Sequence, residues 1–174
     1  MQLKTVFLDR DGVVNKDVGY VHKIKDFQFI DSLLESCHLL NSKGYEIIIV
    51  TNQSGIGRGF YTLSEFNELN DWMISKFNDY GVKILDVYFC PHAPDDDCNC
   101  RKPKTGMFDK AFSNYKIDKK NSWMIGDRED DITAARNAGI QNTVLVRSGH
   151  KFNEKTTSAN FIIDSIKDIN RLIV

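Results

Sequence analysis

Apolar residues rich in valine and isoleucine recur along the chain in short runs: Leu3 to Leu8, Tyr45 to Val50, Ile84 to Cys90, Trp123 to Ile125 and Thr143 to Val146. Each run is short enough to be a strand buried on both faces, which predicts a parallel sheet. Between the runs the period changes. Leu33, Leu34, Cys37 and Leu40, then Phe66, Leu69, Met73 and Phe77, return every three or four residues, the stripe of an amphipathic helix. The second stripe is preceded by Thr62-Leu63-Ser64-Glu65, where hydroxyl and carboxylate can each satisfy a free backbone amide, so the helix is expected to start there. Further helices are expected near Gly106 to Tyr115 and Glu129 to Ala138. A strand at Phe161 to Ile163 and a helix at Ser165 to Leu172 are expected to finish the sheet's edge. Strand alternating with helix predicts an α/β fold with a doubly wound, mainly parallel sheet. With no repeat or linker to divide it, one domain is expected over residues 1–174.

This pattern puts three polar segments at strand ends: Asp9 just beyond the first strand, Thr51 just beyond the second, Asp127 just beyond the fourth. Open parallel sheets bind ligands outside the carboxyl ends of their strands, so the three segments are expected to share one crevice. Composition narrows what enters it. The 174 residues are 41% hydrophobic, enough for one core, and 23 basic against 24 acidic residues leave a net charge of −1. That balance gives no electrostatic footprint for nucleic acid or an anionic membrane, so any bound anion must be held locally. The first apolar run is too short for a signal peptide and no later run reaches spanning length, which predicts a cytoplasmic protein. A monomer is expected.

Asp9-Arg10-Asp11-Gly12 sets two carboxylates two residues apart where a strand ends, with a glycine that lets the chain turn around what they hold. Solvated aspartates at a strand end give the same pattern, so the pair alone is a weak signal. Thr51-Asn52-Gln53-Ser54-Gly55 adds small hydrogen-bonding groups suited to phosphate oxygens, although an ordinary strand-to-helix turn uses such residues too. Gly126-Asp127-Arg128-Glu129-Asp130-Asp131 adds carboxylates able to complete a hard-cation site, some of which also suit the start of a helix.

Taken together, these motifs resemble those of the haloacid dehalogenase superfamily of phosphatases, in order and along nearly the whole chain. The resemblance implies that Asp9 is the nucleophile, Asp11 the general acid and base, and Thr51 and Lys102 the holders of the phosphoryl group. It implies magnesium at Asp9, Asp11 and Asp127. Such a division fits the chemistry, because a cation offsets the repulsion between an anionic nucleophile and an anionic phosphate. The departing alkoxide then needs a proton, and water attacking the aspartyl-phosphate must lose one.

Cys90-Pro91-His92 and Cys98-Asn99-Cys100 supply four soft or borderline ligands within eleven positions. That number and type suit a closed, structural zinc site, although buried free cysteines beside a surface histidine would read the same way. Arg101 and Lys102 follow at once, so rigidity of the loop at about 90–103 would fix where those cations reach. Cys37, on the first helical stripe, reads as core. His22, His38 and His150 carry no signal by themselves.

The zinc-type loop resembles a narrower branch, the D-glycero-D-manno-heptose 1,7-bisphosphate phosphatases and the related histidinol-phosphate phosphatases. The segments Gly19-Tyr20-Val21-His22, Thr51 to Gly59 and Leu145 to Gly149 are more similar to the heptose members. The span between His92 and Cys98 is nearer the histidinol type. The resemblance implies a compact fold without a large cap and a sugar bisphosphate cleaved at C7. Its substrate walls would be built from the stretches Asp17 to Tyr20 and Gly55 to Tyr61, with Asp17, Gly19, Tyr20, Asn52, Gln53, Ser54, Arg58 and Arg101 as the contacting residues. Histidinol phosphate is the nearest alternative substrate. Two further alternatives are a receiver-like signalling module that keeps its phospho-aspartate and a catalytically silent zinc-loop protein.

Overall fold

The structure is a computed structural model and describes residues 2–173. Six strands form one parallel sheet: β1 (Thr5–Leu8), β2 (Glu46–Asn52), β3 (Ile84–Cys90), β4 (Trp123–Gly126), β5 (Asn142–Val146) and β6 (Phe161–Ile163). Their order is β3-β2-β1-β4-β5-β6, so the winding direction reverses between β1 and β4. The register is Val6 beside Ile47 on one side and Trp123 on the other, with Leu8 beside Ile49 and Ile125.

The near-continuous apolar runs are explained by burial on both faces. Val6, Leu8, Ile47 and Ile49 point into one core with Leu33, Cys37 and Leu40 of helix α1 (Leu33–Ser42). Phe7, Ile48 and Val50 point into the other. Fully burying each such side chain contributes about 1.5–3 kcal/mol. A short helix α2 (Ser54–Gly57) follows β2, and α3 (Leu63–Asp79) adds Leu69, Met73 and Phe77 to the first core. Helices α4 (Gly106–Asn114) and α5 (Glu129–Ala138) cover the second face through Phe108, Ala111, Ala134 and Ala135. Thr62 and Glu65 form the reciprocal cap expected from their spacing, with Glu65 N–H donating to Thr62 Oγ1 at 3.1 Å and Thr62 N–H to Glu65 Oε2 at 2.7 Å.

Two expectations shift. The ladder between β2 and β3 runs on to Asn52 and Cys90, so Thr51 lies inside the end of β2. The C-terminal helix is a 3-10 helix, Ile166–Arg171. Its buried residues Ile166 and Ile169 are three apart and eclipse on a three-residue turn, which favours the tighter coil over so short a length. Among the described residues, no helix is long and apolar enough to cross a membrane.

Candidate active site

The reversal between β1 and β4 leaves a gap at their carboxyl ends, and Asp9 and Asp127 are the first residues past those two strands. Asp9 N–H donates to Ile125 O at 3.0 Å, which ties the end of β1 to β4. Asp127 is fully buried because two glycines make room for it. A Cβ at Gly12 would lie 2.2 Å from Asp127 Oδ2 and one at Gly149 2.1 Å from the same atom, and Gly12 also has φ +96.

Asp131, one turn into α5, joins them. Its Oδ2 accepts the backbone N–H groups of Asp127 and Arg128, both at 3.1 Å, capping the helix, while Oδ1 meets Lys102 Nζ at 2.6 Å. Lys102 is buried and its three N–H bonds are all used: Asp9 Oδ1 at 2.7 Å, Asp131 Oδ1, and Val50 O at 2.8 Å. The backbone of Lys102 is fixed by Asn52, whose Oδ1 accepts Lys102 N–H at 3.0 Å and whose Nδ2 donates to Lys102 O at 3.2 Å.

Two carboxylates therefore face one ammonium, and Asp127 lies beside them. Burial holds the pKa of Asp9 well above the ordinary carboxylate value; Asp131 and Asp127 push the same way and Lys102 opposes them. Asp127 is raised by burial and by Asp131, against hydrogen bonds from His150. Burial works against the charge on Lys102, but Asp131 and Asp9 outweigh it and hold its pKa above the usual value. Oxygens of Asp9, Asp127 and Asp131 all lie within 4.8 Å of one another, and Asp127 Oδ1 is buried with no partner. An all-oxygen donor set with excess negative charge and an orphaned oxygen fits a hard divalent cation such as magnesium.

The side chain of Asp11 is outside that group. It turns instead to Arg10, with Nη2 at 3.0 Å from Oδ1 and Nε at 3.2 Å from Oδ2, and it also accepts Asn15 Nδ2 and Gln53 Nε2. The carboxylate expected to join Asp9 and Asp127 is thus drawn off by a buried guanidinium, and Asp131 takes its place in the cluster.

A polar cleft of about 350 Å³ opens above these groups. Asp9, Asp11 and Lys102 reach its surface; Asp17, Gly19 and Tyr20 line one wall, and Asn52, Gln53, Ser54 and Arg58 line another with Arg101. Thr51 and Asp127 lie beneath, almost or wholly without exposure. Thr51 Oγ1 accepts Gln53 Nε2 at 2.9 Å. Arg101 Nη1 is buried and unpartnered.

Tyr61, the end of the Gly55 to Tyr61 segment expected to form a wall, lines the cleft as well. Several other residues of the cleft were not singled out by the sequence: Arg10, and Arg128 and His150 from the segments after β4 and β5. His150 meets Asp127 Oδ2 through its backbone N–H at 2.8 Å and through Nδ1 at 2.6 Å, and its Nε2 is 3.4 Å from Asp17 Oδ2. Only folding brings these positions together. Acidic clustering at 127–131 was the one hint that Asp131 belongs to the site.

At the end of β3 the sulfurs of Cys90, Cys98 and Cys100 and Nδ1 of His92 converge. Cys90 Sγ is 3.8 Å from Cys98 Sγ and 3.0 Å from Cys100 Sγ, and His92 Nδ1 is 3.2 Å from Cys100 Sγ. None is in a disulfide. Burial is the main cause of a raised thiol pKa at Cys90, a cost that a bound dication would offset. One nitrogen and three sulfurs, a full tetrahedral set, fit a closed zinc site.

A family model described as HAD-hydrolase-like matches residues 99–169. The chain is 44% identical to a D-glycero-beta-D-manno-heptose-1,7-bisphosphate 7-phosphatase of Pasteurella multocida, over 98% of this chain and 96% of that protein. It is 42% identical to a D-glycero-alpha-D-manno-heptose-1,7-bisphosphate 7-phosphatase of Photorhabdus laumondii, over 99% and 97%. Among solved structures, a D,D-heptose 1,7-bisphosphate phosphatase of B. bronchiseptica complexed with magnesium and phosphate superposes with a TM-score of 0.88 at 28% identity, covering 98% of both chains.

Proposed function

The chain belongs to the heptose-1,7-bisphosphate 7-phosphatase family of HAD-like hydrolases, and from that premise we propose that it removes the C7 phosphate of D-glycero-D-manno-heptose 1,7-bisphosphate through an aspartyl-phosphate on Asp9. The observation that carries this reading is Asp9 itself: a buried carboxylate, held by Lys102 beside two more carboxylates, at the floor of a polar cleft. The working unit is one domain in one chain, since every residue assigned below comes from it. A location in the cytoplasm is part of the same proposal.

Asp9 attacks phosphorus in line with the C7 oxygen, forming its own bond to phosphorus as the bond to the sugar breaks. Asp11 gives a proton to the leaving alkoxide, then takes one from the water that attacks the aspartyl-phosphate, and Asp9 is regenerated with release of inorganic phosphate. Lys102, by exchanging a carboxylate contact for a phosphoryl oxygen, and Thr51 hold the transferred group. Magnesium held by Asp9 and Asp127, with Asp131 beside them, would neutralise the charge gathered there. Zinc at Cys90, His92, Cys98 and Cys100 would stiffen the loop that delivers Arg101 and Lys102.

A sugar bisphosphate cleaved at one end needs a cation for its other phosphate, and Lys102 is already saturated. Arg101, with an unpartnered Nη1 at the cleft, supplies it, because a planar guanidinium can grip a phosphate bidentately. Arg58 is a second, exposed candidate, and Asp17, Gly19, Tyr20, Asn52, Gln53 and Ser54 complete the walls. The test is a side-by-side assay of purified protein with magnesium on heptose 1,7-bisphosphate and histidinol phosphate. The bisphosphate should be turned over with much the higher kcat/KM; faster turnover of histidinol phosphate would overturn the substrate assignment. A receiver-like module would keep its phosphoryl group and show no steady turnover of either.

A further inference from the structure

Asp11 is held at the cleft by a chain of contacts that starts at Tyr61. The Tyr61 hydroxyl donates to Gln53 Oε1 at 2.5 Å. With that oxygen engaged, Gln53 presents its two amide hydrogens the other way, to Asp11 Oδ2 at 3.1 Å and Thr51 Oγ1 at 2.9 Å. The reverse amide orientation would turn an oxygen toward a carboxylate oxygen and leave the phenol without an acceptor. Tyr61 is therefore what selects the orientation in which Gln53 can hold Asp11.

The tyrosine is itself fixed in place. It is 5% exposed, and its ring stacks on His22 with centroids 4.8 Å apart and planes at 4°. His22 Nδ1 lies 2.7 Å from Tyr20 O, so the ring follows the substrate wall. Gly55 gives it space: a Cβ there would meet Tyr61 Cε1 at 2.0 Å. Burial, partly offset by Arg10, pushes the Tyr61 phenol up to about 12, so it stays a donor throughout the neutral range.

We infer that Tyr61 is a positioning residue that sets the aim of Asp11, through the Gln53 amide, for proton donation to the leaving group. This rests on the reading of Asp11 as general acid and base. Without the hydroxyl, Gln53 Oε1 loses its partner in a buried site and the amide is free to turn, so Asp11 loses one of its four side-chain contacts to Arg10, Asn15 and Gln53.

Tyr61→Phe removes the hydroxyl and keeps the stacked ring. The readout is kcat/KM, which reports only the steps through phosphoryl transfer to Asp9, measured on the heptose bisphosphate and on para-nitrophenyl phosphate. The C7 alkoxide needs a proton as it leaves and the nitrophenolate does not. The expected result is a loss of about tenfold on the bisphosphate, the scale of a small misplacement of a catalytic group, against less than about threefold on the aryl ester. In a Gln53→Ala background the same substitution should cause no further loss. Gly55→Ala, which displaces the ring and keeps the hydroxyl, should show the same ester-selective loss. Equal losses on both esters, an undiminished effect in the Gln53→Ala background, or no loss at all would overturn the inference while leaving the phosphatase reading intact. Wild-type protein that releases phosphate from neither ester would overturn both.

Discussion

At Asp9 two opposed influences meet. Burial and the nearby charges of Asp131 and Asp127 disfavour its anion, and Lys102 favours it. The balance describes a nucleophile whose charge is fully supported only when a cation joins the cluster, and it makes a specific expectation for Asp9→Asn. The amide cannot form an acyl-phosphate, so turnover should vanish, yet removing one of three crowded carboxylates should leave the thermal midpoint in chelator no lower than that of wild type. Phosphate release and a melting curve on one preparation check both halves. Arg101→Ala should lower kcat/KM on the bisphosphate by about 1.5–3 kcal/mol, the range for a charge-assisted hydrogen bond, with a much smaller effect on simple esters. Paired kinetics on the two substrate types check that; equal losses would place Arg101 with the general phosphoryl machinery. Asp9, Asp11, Thr51 and Asp127 were legible as residues because each stands at a strand end with a chemically telling neighbour. Asp131, Arg10 and His150 were not. His150 reaches Asp127 across 23 positions, and nothing local distinguishes it from His22 or His38. The side-chain direction of Asp11 was equally hidden, since it is set by Arg10, Asn15 and Gln53 together.

Elements were easier to read where one strong local signal dominated. The β3 run, Ile84 to Cys90, and the α5 stripe, Glu129 to Ala138, coincide with the observed limits because Pro91 follows the first at once and an acidic first turn opens the second. The last helix was harder: an apolar residue every three or four positions suits either helix type, and length decides. The loop from Cys90 to Lys102 has little secondary structure of its own, being held by its Cys-His cluster and by the reciprocal Asn52–Lys102 bonds. Cys98→Ala should therefore lose the zinc and lower the melting temperature. Misplacement of Lys102 should cost activity indirectly, by up to about a hundredfold. Metal analysis together with kinetics would check this, and a freshly purified, zinc-supplemented wild type that holds no zinc would refute it.

For the molecule as a whole, the strand order is what turns separate motifs into one site. The reversal between β1 and β4 opens the crevice, the two glycines make room for Asp127 beneath it, and loops from β2, β3 and β5 close its sides. Alternating strands and helices made that topology legible in outline, whereas the β3-β2-β1-β4-β5-β6 order itself was not readable from spacing. A hard-oxygen site below an open cleft and a closed thiolate site should also separate by exchange. Brief chelation should stop turnover, and added magnesium should restore it, with the zinc content unchanged throughout; loss of zinc in parallel with activity would contradict the division. The central claim is tested most directly by following phosphorus NMR signals of D-glycero-D-manno-heptose 1,7-bisphosphate with the purified protein and magnesium. The C7 ester signal should pass into inorganic phosphate while the anomeric C1 phosphate persists; release of the C1 phosphate, or no release from either carbon, would contradict the account.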